Sequence, residues 1–237
     1  MAGHNKWSKI KRDKGANDAK RGAVFTRLGN QIAVAAKAGA DPTMNPSLQM
    51  AIEKARASNM PKDNIQRSID RAADKSAAQL EEVTYEGYGP AGVGIIIETA
   101  TDNKNRTLPE VKTALVKNGG RIADAGSVMF QFERKGVIQL EEIGEETLLA
   151  VLEAGAEDAV EEAGEMTVYT EQKDLMKVRT NLIEAGLTVS DAELQYVPNI
   201  NVEITDEETA NKIIKIMDAL EDLDDVVNVS TNANLPD

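Results

Sequence analysis

Three successive stretches in the first 80 residues carry apolar side chains at helical spacing. Over about residues 17–38, Val24, Leu28, Ile32 and Ala35 fall on one stripe, as the face of an amphipathic helix requires, and Gly39 suits its C-terminal end. Asn45-Pro46 reads as the start of a second helix, a side-chain cap followed by a proline whose missing N–H costs nothing in a first turn. Leu48, Ile52 and Ala55 mark its inner face. Pro61 opens a third in the same way, with Ile65, Ile69 and Ala72 inward. The pattern predicts a small three-helix module whose inward side chains are modest, so its core is thin and reorientation against the rest of the chain is expected.

From residue 81 the apolar period changes. Val83 to Tyr88, Val93 to Thr99 and Val128 to Phe132 read as strands, and Leu108, Val111 and Leu115 mark a helix between the second and third. A complete β-α-β-β-α-β unit follows: Val137 to Leu140, a helix near 145–154, Asp158 to Glu161, Met166 to Thr170, a helix near 171–185 and Leu187 to Val197. After Pro198 one helix (about 206–221) and one strand (Val226 to Val229) remain, and they need a sheet to join. The economical arrangement returns them to the strands of 81–132. The expected fold is therefore α+β and multidomain, a helical module followed by two split-βαβ, ferredoxin-like domains, one inserted in the other. The boundaries are 1–80, 81–132 plus 200–237, and 133–199 for the insert.

Composition sharpens this picture. A chain of 237 residues, 41% of them apolar, can build two or three cores without covalent staples, and its lack of cysteine removes disulfides, thiolate nucleophiles and cysteine-ligated metal sites together. No segment approaches the roughly 20 apolar residues that span a bilayer. The amino-terminal stretch leads into charge rather than a signal-like apolar run, and Asp13 and Asp18 among its basic residues argue against a mitochondrial address. A cytoplasmic protein that does not engage membranes is expected.

The formal net charge of −13 conceals a division along the chain. Residues 1–80 hold 15 Lys and Arg against 7 Asp and Glu, whereas residues 81–237 hold 12 against 33. A basic module fused to an acidic body is a pattern associated with nucleic-acid contact; its plain counterpart is a helical domain with solvated lysines and arginines.

Catalytic chemistry finds little support. Gly87-Tyr88-Gly89-Pro90-Ala91-Gly92 satisfies G-x-G-x-x-G, but it runs into the β-rich Val93 to Ile97 instead of opening a helix onto a phosphate, so a turn between strands is expected. Thr107-Leu108-Pro109-Glu110 has the spacing of a capping box at the start of a helix over 107–118. The polar segment Asp102 to Arg106 before it reads as a solvated loop, with contact to a phosphate or a partner as the alternative. The only histidine is His4, too near the terminus to anchor a triad or a histidine metal site. Among 40 carboxylates, pairs such as Glu161-Glu162 and Asp224-Asp225 arise by chance. Catalytic residues, metals and cofactors are all expected to be absent, and a hydrolase is disfavoured.

What remains is a run of Lys6, Trp7, Lys9, Lys11, Arg12, Lys14, Lys20, Arg21 and Arg27. Cations interleaved with one indole combine phosphate neutralisation with stacking or wedging against bases. These nine are the candidate nucleic-acid-binding residues. A basic tail with Trp7 packed on the helical module is the structural alternative.

The residues that carry these signals also resemble a known family. Met1 to Trp7 followed by Ile10-Lys11, Asp18 to Gly22, Phe25-Thr26, Asn45-Pro46, Lys54-Ala55-Arg56, Asn59 to Ile65, Tyr85 to Pro90, Thr101 to Thr107, Gly126 to Val128 and Phe132 to Gly136 are similar, in order and spacing, to the YebC/PmpR family. The resemblance spans essentially the whole chain. It implies an N-terminal helical bundle and two α+β domains, the last inserted in the middle one, in a cytoplasmic, non-enzymatic protein. It further implies a DNA-binding transcriptional regulator. The alternative role within the family is a translation factor that works with ribosomal RNA and relieves stalling. A protein partner for the acidic domains fits either role. Asp13 and Ala23 depart from the family's basic pattern, and Lys9 partly offsets them.

Overall fold

The structure, a computed structural model, describes residues 18–73, 80–162 and 164–235. Three helices come first: α1 (Asp18–Ala36), α2 (Pro46–Ala57) and α3 (Lys62–Ala73). Leu28, Ile32, Leu48, Ile52, Ala55, Ile65 and Ile69 meet in one buried cluster, the stripes expected from spacing. Asn45 joins two of the helices. Its Oδ1 accepts from Leu48 N at 3.1 Å, capping α2, while its Nδ2 donates to the Ala35 and Gly39 carbonyls at 2.8 and 2.7 Å. One buried amide thus starts α2 and satisfies carbonyls left over at the end of α1.

The first sheet follows with β1 (Glu81–Tyr88), β2 (Gly94–Thr101), α4 (Lys104–Lys117) and β3 (Arg121–Ala123), and is completed after a long excursion by α7 (Glu207–Glu221) and β9 (Val226–Thr231). Its strand order is β3-β1-β2-β9, with every neighbour antiparallel. Helices α4 and α7 cover one face over Ile95, Ile97, Val111, Leu115, Ile213, Met217 and Leu220. Ile96 points the other way, into Val128 and Phe132. Burial on both faces explains why β2 reads as an unbroken apolar run rather than an alternating one.

The excursion is a second sheet. It comprises β4 (Phe132–Leu140), α5 (Glu145–Glu153), β5 (Asp158–Glu162), β6 (Glu165–Glu171), α6 (Leu175–Glu184) and β7 (Val189–Pro198), with strand order β5-β6-β4-β7. All pairs are antiparallel. This is the split-βαβ arrangement that the sequence pattern anticipates. Its helices pack over Ile138, Leu140, Val151, Val168, Val178 and Leu182. A short parallel pair, β8 (Val202–Glu203) with β10 (Ala233–Asn234), binds the returning chain to the C-terminal segment.

Local differences from the sequence reading have physical causes. Val128 to Phe132 is not a strand: Met129–Gln131 form a 3-10 turn and β4 starts at Phe132. The turn is held by Glu86, a buried carboxylate that accepts from the amides of Gly126, Val128 and Met129 at 2.5, 2.6 and 2.8 Å. The capping box at Thr107 is not used either. Asn103 is the cap of α4, accepting from the amides of Asn105 and Arg106, so that Thr107 lies within the helix and is buried. The glycine-rich segment is the expected turn, a 3-10 turn over Pro90–Gly92 between β1 and β2.

Gly136 in β4 marks a close approach. A Cβ there would stand 2.8 Å from Leu175 Cβ and would overlap the Thr170 hydroxyl, so helix α6 sits on the sheet only because that side chain is missing. Gly136→Ala is expected to cost about 1–3 kcal/mol through overpacking, seen as a lowered urea midpoint with an unchanged m-value.

Candidate nucleic-acid interface

Of the nine residues singled out in the sequence, Lys6, Trp7, Lys9, Lys11, Arg12 and Lys14 lie outside the described residues. Lys20 and Arg21 belong to the first turn of α1 by backbone position, and their side chains are likewise outside the description. Arg27 is described, and it turns toward the body. Its guanidinium stands 3.7 Å from Glu221 Oε2 on α7, with both side chains largely covered at 14% and 12% exposure. To reach a phosphate, Arg27 would have to leave this carboxylate.

Arg27 is one of several module residues committed to the acidic body. Lys54 on α2 bonds Glu193 and lies 3.4 Å from Asp191, both on β7. Burial works to lower the pKa of Lys54, but the nearby charges of Glu193 and Asp191 more than reverse this and raise it, so the ammonium keeps its proton. Glu53 accepts from Arg179 of α6 at 2.6 Å. Asn30 and Gln31 on α1 donate to the carbonyls of Asp224 and Val227 at 3.0 and 3.1 Å, and the Lys37 ammonium donates to the Leu80 carbonyl. Helix α1 therefore lies along β9, and α2 leans on the second sheet. These contacts enclose a cavity of 480 Å³ at the junction, lined among others by Arg27, Gln31, Lys54, Asp191, Glu193 and Asn228. The expectation of a loosely tethered module meets a specific polar docking surface.

Arg71 also pairs with the body, at 3.7 Å from Asp102, and the remaining described cations face solvent. Arg56, Lys62 and Arg67 are exposed and form no ion pair among the described residues. The positive charge of the module is thus divided between an inward set, neutralised by body carboxylates, and an outward set. Sequence spacing cannot show this division, because the pairing partners of Lys54 lie 137 and 139 positions away.

The site is therefore a basic helical module seated on two acidic α+β domains, with Arg56, Lys62 and Arg67 exposed and unpaired among the described residues; that combination defines a charge-divided three-domain α+β protein. The chain belongs to the TACO1/YebC family: the model of the TACO1/YebC protein N-terminal domain matches residues 5–75, and that of the TACO1/YebC second and third domain matches residues 80–233. A probable transcriptional regulatory protein of Halothermothrix orenii is 46% identical over 244 residues, covering 100% of this chain and 96% of that protein. One from Persephonella marina is 48% identical over 238 residues, covering 98% and 95%. The crystal structure of a conserved hypothetical protein from Aquifex aeolicus superposes with a TM-score of 0.86 at 42% identity, covering 93% of each chain. Among the described residues, no helix is long and apolar enough to cross a membrane.

Proposed function

We propose that this protein is a non-enzymatic, cytoplasmic regulator that binds duplex DNA through the basic segment Lys6, Trp7, Lys9, Lys11, Arg12, Lys14, Lys20 and Arg21, while its acidic domains meet a protein partner. The observation that carries this reading is the division of charge: 15 cations against 7 acids in residues 1–80, and 12 against 33 beyond. A polyanion gains from the first and is repelled by the second, so binding is oriented as well as favourable. The names of the relatives, probable transcriptional regulatory protein, support the same role. The non-enzymatic part rests on a single histidine at position 4 and on a glycine-rich segment that forms a turn into β2 instead of a phosphate-cradling helix start.

Binding to a duplex of about 30 base pairs and co-sedimentation with ribosomes, measured at matched physiological salt, test the proposal. Duplex binding that weakens as salt rises is the expected result. Ribosome association without duplex binding would transfer the same basic segment to ribosomal RNA and make the protein a translation factor.

A further inference from the structure

Helices α1 and α3 form a groove whose lining runs from the exposed Arg67 to Asn30 and Arg71, which reach Asp224 and Asp102 of the body. Gly29 sets its depth. The helices approach so closely there that a Cβ on Gly29 would stand 2.9 Å from Ser68 Oγ. Phe25 lines one wall, Asn64, Arg67 and Arg71 line the other, and the volume is 280 Å³.

Arg67 is held by neutral groups alone, whereas Arg71 meets both a neutral amide and a carboxylate. Arg67 Nε donates to the Asp63 carbonyl at 3.2 Å and its Nη2 donates to Asn64 Oδ1 at 2.6 Å. Both acceptors are uncharged, so the guanidinium is oriented while its positive charge stays uncompensated, and Arg67 has no ion pair among the described residues. Arg71 lies four residues further on, about 6 Å along the axis. Its Nη1 donates to Asn30 Oδ1 at 3.3 Å, and Asn30 is itself fixed by its bond to the Asp224 carbonyl at 3.0 Å. Arg71 also pairs with a body carboxylate, its Nη2 standing 3.7 Å from Asp102 Oδ2, the same separation as in the Arg27–Glu221 pair, so binding a phosphate would draw it off Asp102. Asp102 also has Arg106 at 3.2 Å, so it keeps a partner if Arg71 turns away. Asp70, the acidic neighbour on α3, is engaged by Gln66 at 2.9 Å.

One preoriented and unpaired guanidinium fork at a polar groove, with Phe25 at its edge and Arg71 a turn away on Asp102, suits an oxyanion that takes bidentate donors. We propose that the α1–α3 groove is a phosphate-binding subsite for the DNA backbone, with Arg67 as its principal donor and Arg71 as its second. This rests on the nucleic-acid reading above and extends the interface to residues that the basic segment does not contain.

The test uses the full chain, a fluorescent duplex of about 30 base pairs and anisotropy titrations over a range of salt. Arg67→Gln should weaken binding to all sequences alike and make the log–log salt slope shallower by about 0.9, and Arg67→Gln with Arg71→Gln by about twice that. Arg67→Lys, which keeps the charge, should restore most of the slope. Lys112→Gln, on the exposed surface of α4, removes the same charge elsewhere and should leave the slope unchanged. Melting curves confirm that each variant is folded. Wild-type slopes in both arginine variants would overturn the groove while leaving the proposed function standing. A wild-type chain that binds no duplex at low salt would end both. Arg67-dependent binding of single-stranded RNA with duplex binding unaltered would overturn the assignment to DNA.

Discussion

Asp225→Ala is expected to lower stability by about 1–3 kcal/mol. Asp225 precedes β9 and is buried. Its Oδ2 accepts from the hydroxyls of Thr101 and Thr107 at 2.9 and 2.6 Å, and Arg106 Nη2 lies 2.8 Å from the same oxygen. The carboxylate thereby fastens β9 to the loop and first turn at the start of α4. Removing it leaves the buried Thr101 hydroxyl without its acceptor, which is where most of the cost arises, while Thr107 can donate instead to the Asn103 carbonyl at 3.1 Å or to Thr101 Oγ1 at 2.7 Å; Arg106 is 47% exposed, and its share is discounted for solvent screening. The same arrangement sets a pH dependence. Burial acts to raise the Asp225 pKa, but the bonds from Thr107, Arg106 and Thr101 outweigh it and hold the group below its ordinary 3.8. A depressed folded pKa means stability that is complete above the ordinary value and is lost as pH falls through the folded one. Urea denaturation of wild type at pH 7 and in the acidic range below about 4 should show this loss, and Asp225→Asn should blunt it. Equal acid sensitivity in wild type and Asp225→Asn would remove Asp225 from the account.

Changing Lys11 and Arg12 together to glutamine is expected to make the salt slope of duplex binding shallower by about two units, since each phosphate neutralised contributes roughly 0.9. The affinity should fall for every sequence alike, because phosphate contacts position a protein without reading bases. Trp7→Ala should behave differently. Loss of a stacking or wedging indole costs about 1–3 kcal/mol of binding and leaves the salt slope nearly intact. Titrations at four or five salt concentrations separate the two effects. A Trp7→Ala slope that falls in step with the lysine and arginine variant would show that the indole acts only by arranging the cations.

These expectations come from different levels of the chain. The amphipathic stripes through Leu28 and Ile32, Leu48 and Ile52, and Ile65 and Ile69 were legible in sequence because a helix brings residues three and four apart onto one face, and the Asn45-Pro46 start was legible because a cap is a local bond. The β-α-β-β-α-β order of the second sheet was legible for the same reason, as a succession of local periods. The division of charge needed only counting. Tertiary structure alone decided which cations remain available: Arg27 belongs to the same basic run as Lys20 and Arg21, yet α7 brings Glu221 beside it, and Lys54 is claimed by Glu193 across 139 positions. It also decided the fate of Thr107. By spacing the residue fits a cap, but Asn103 starts the helix four residues earlier and Thr107 turns to Asp225, which β9 delivers from 118 positions away. Local bonds write themselves into spacing, whereas the partner of a side chain depends on which strand the folded chain sets beside it. The groove at Arg67 belongs to this second kind, for it exists only where Gly29 lets α3 close on α1.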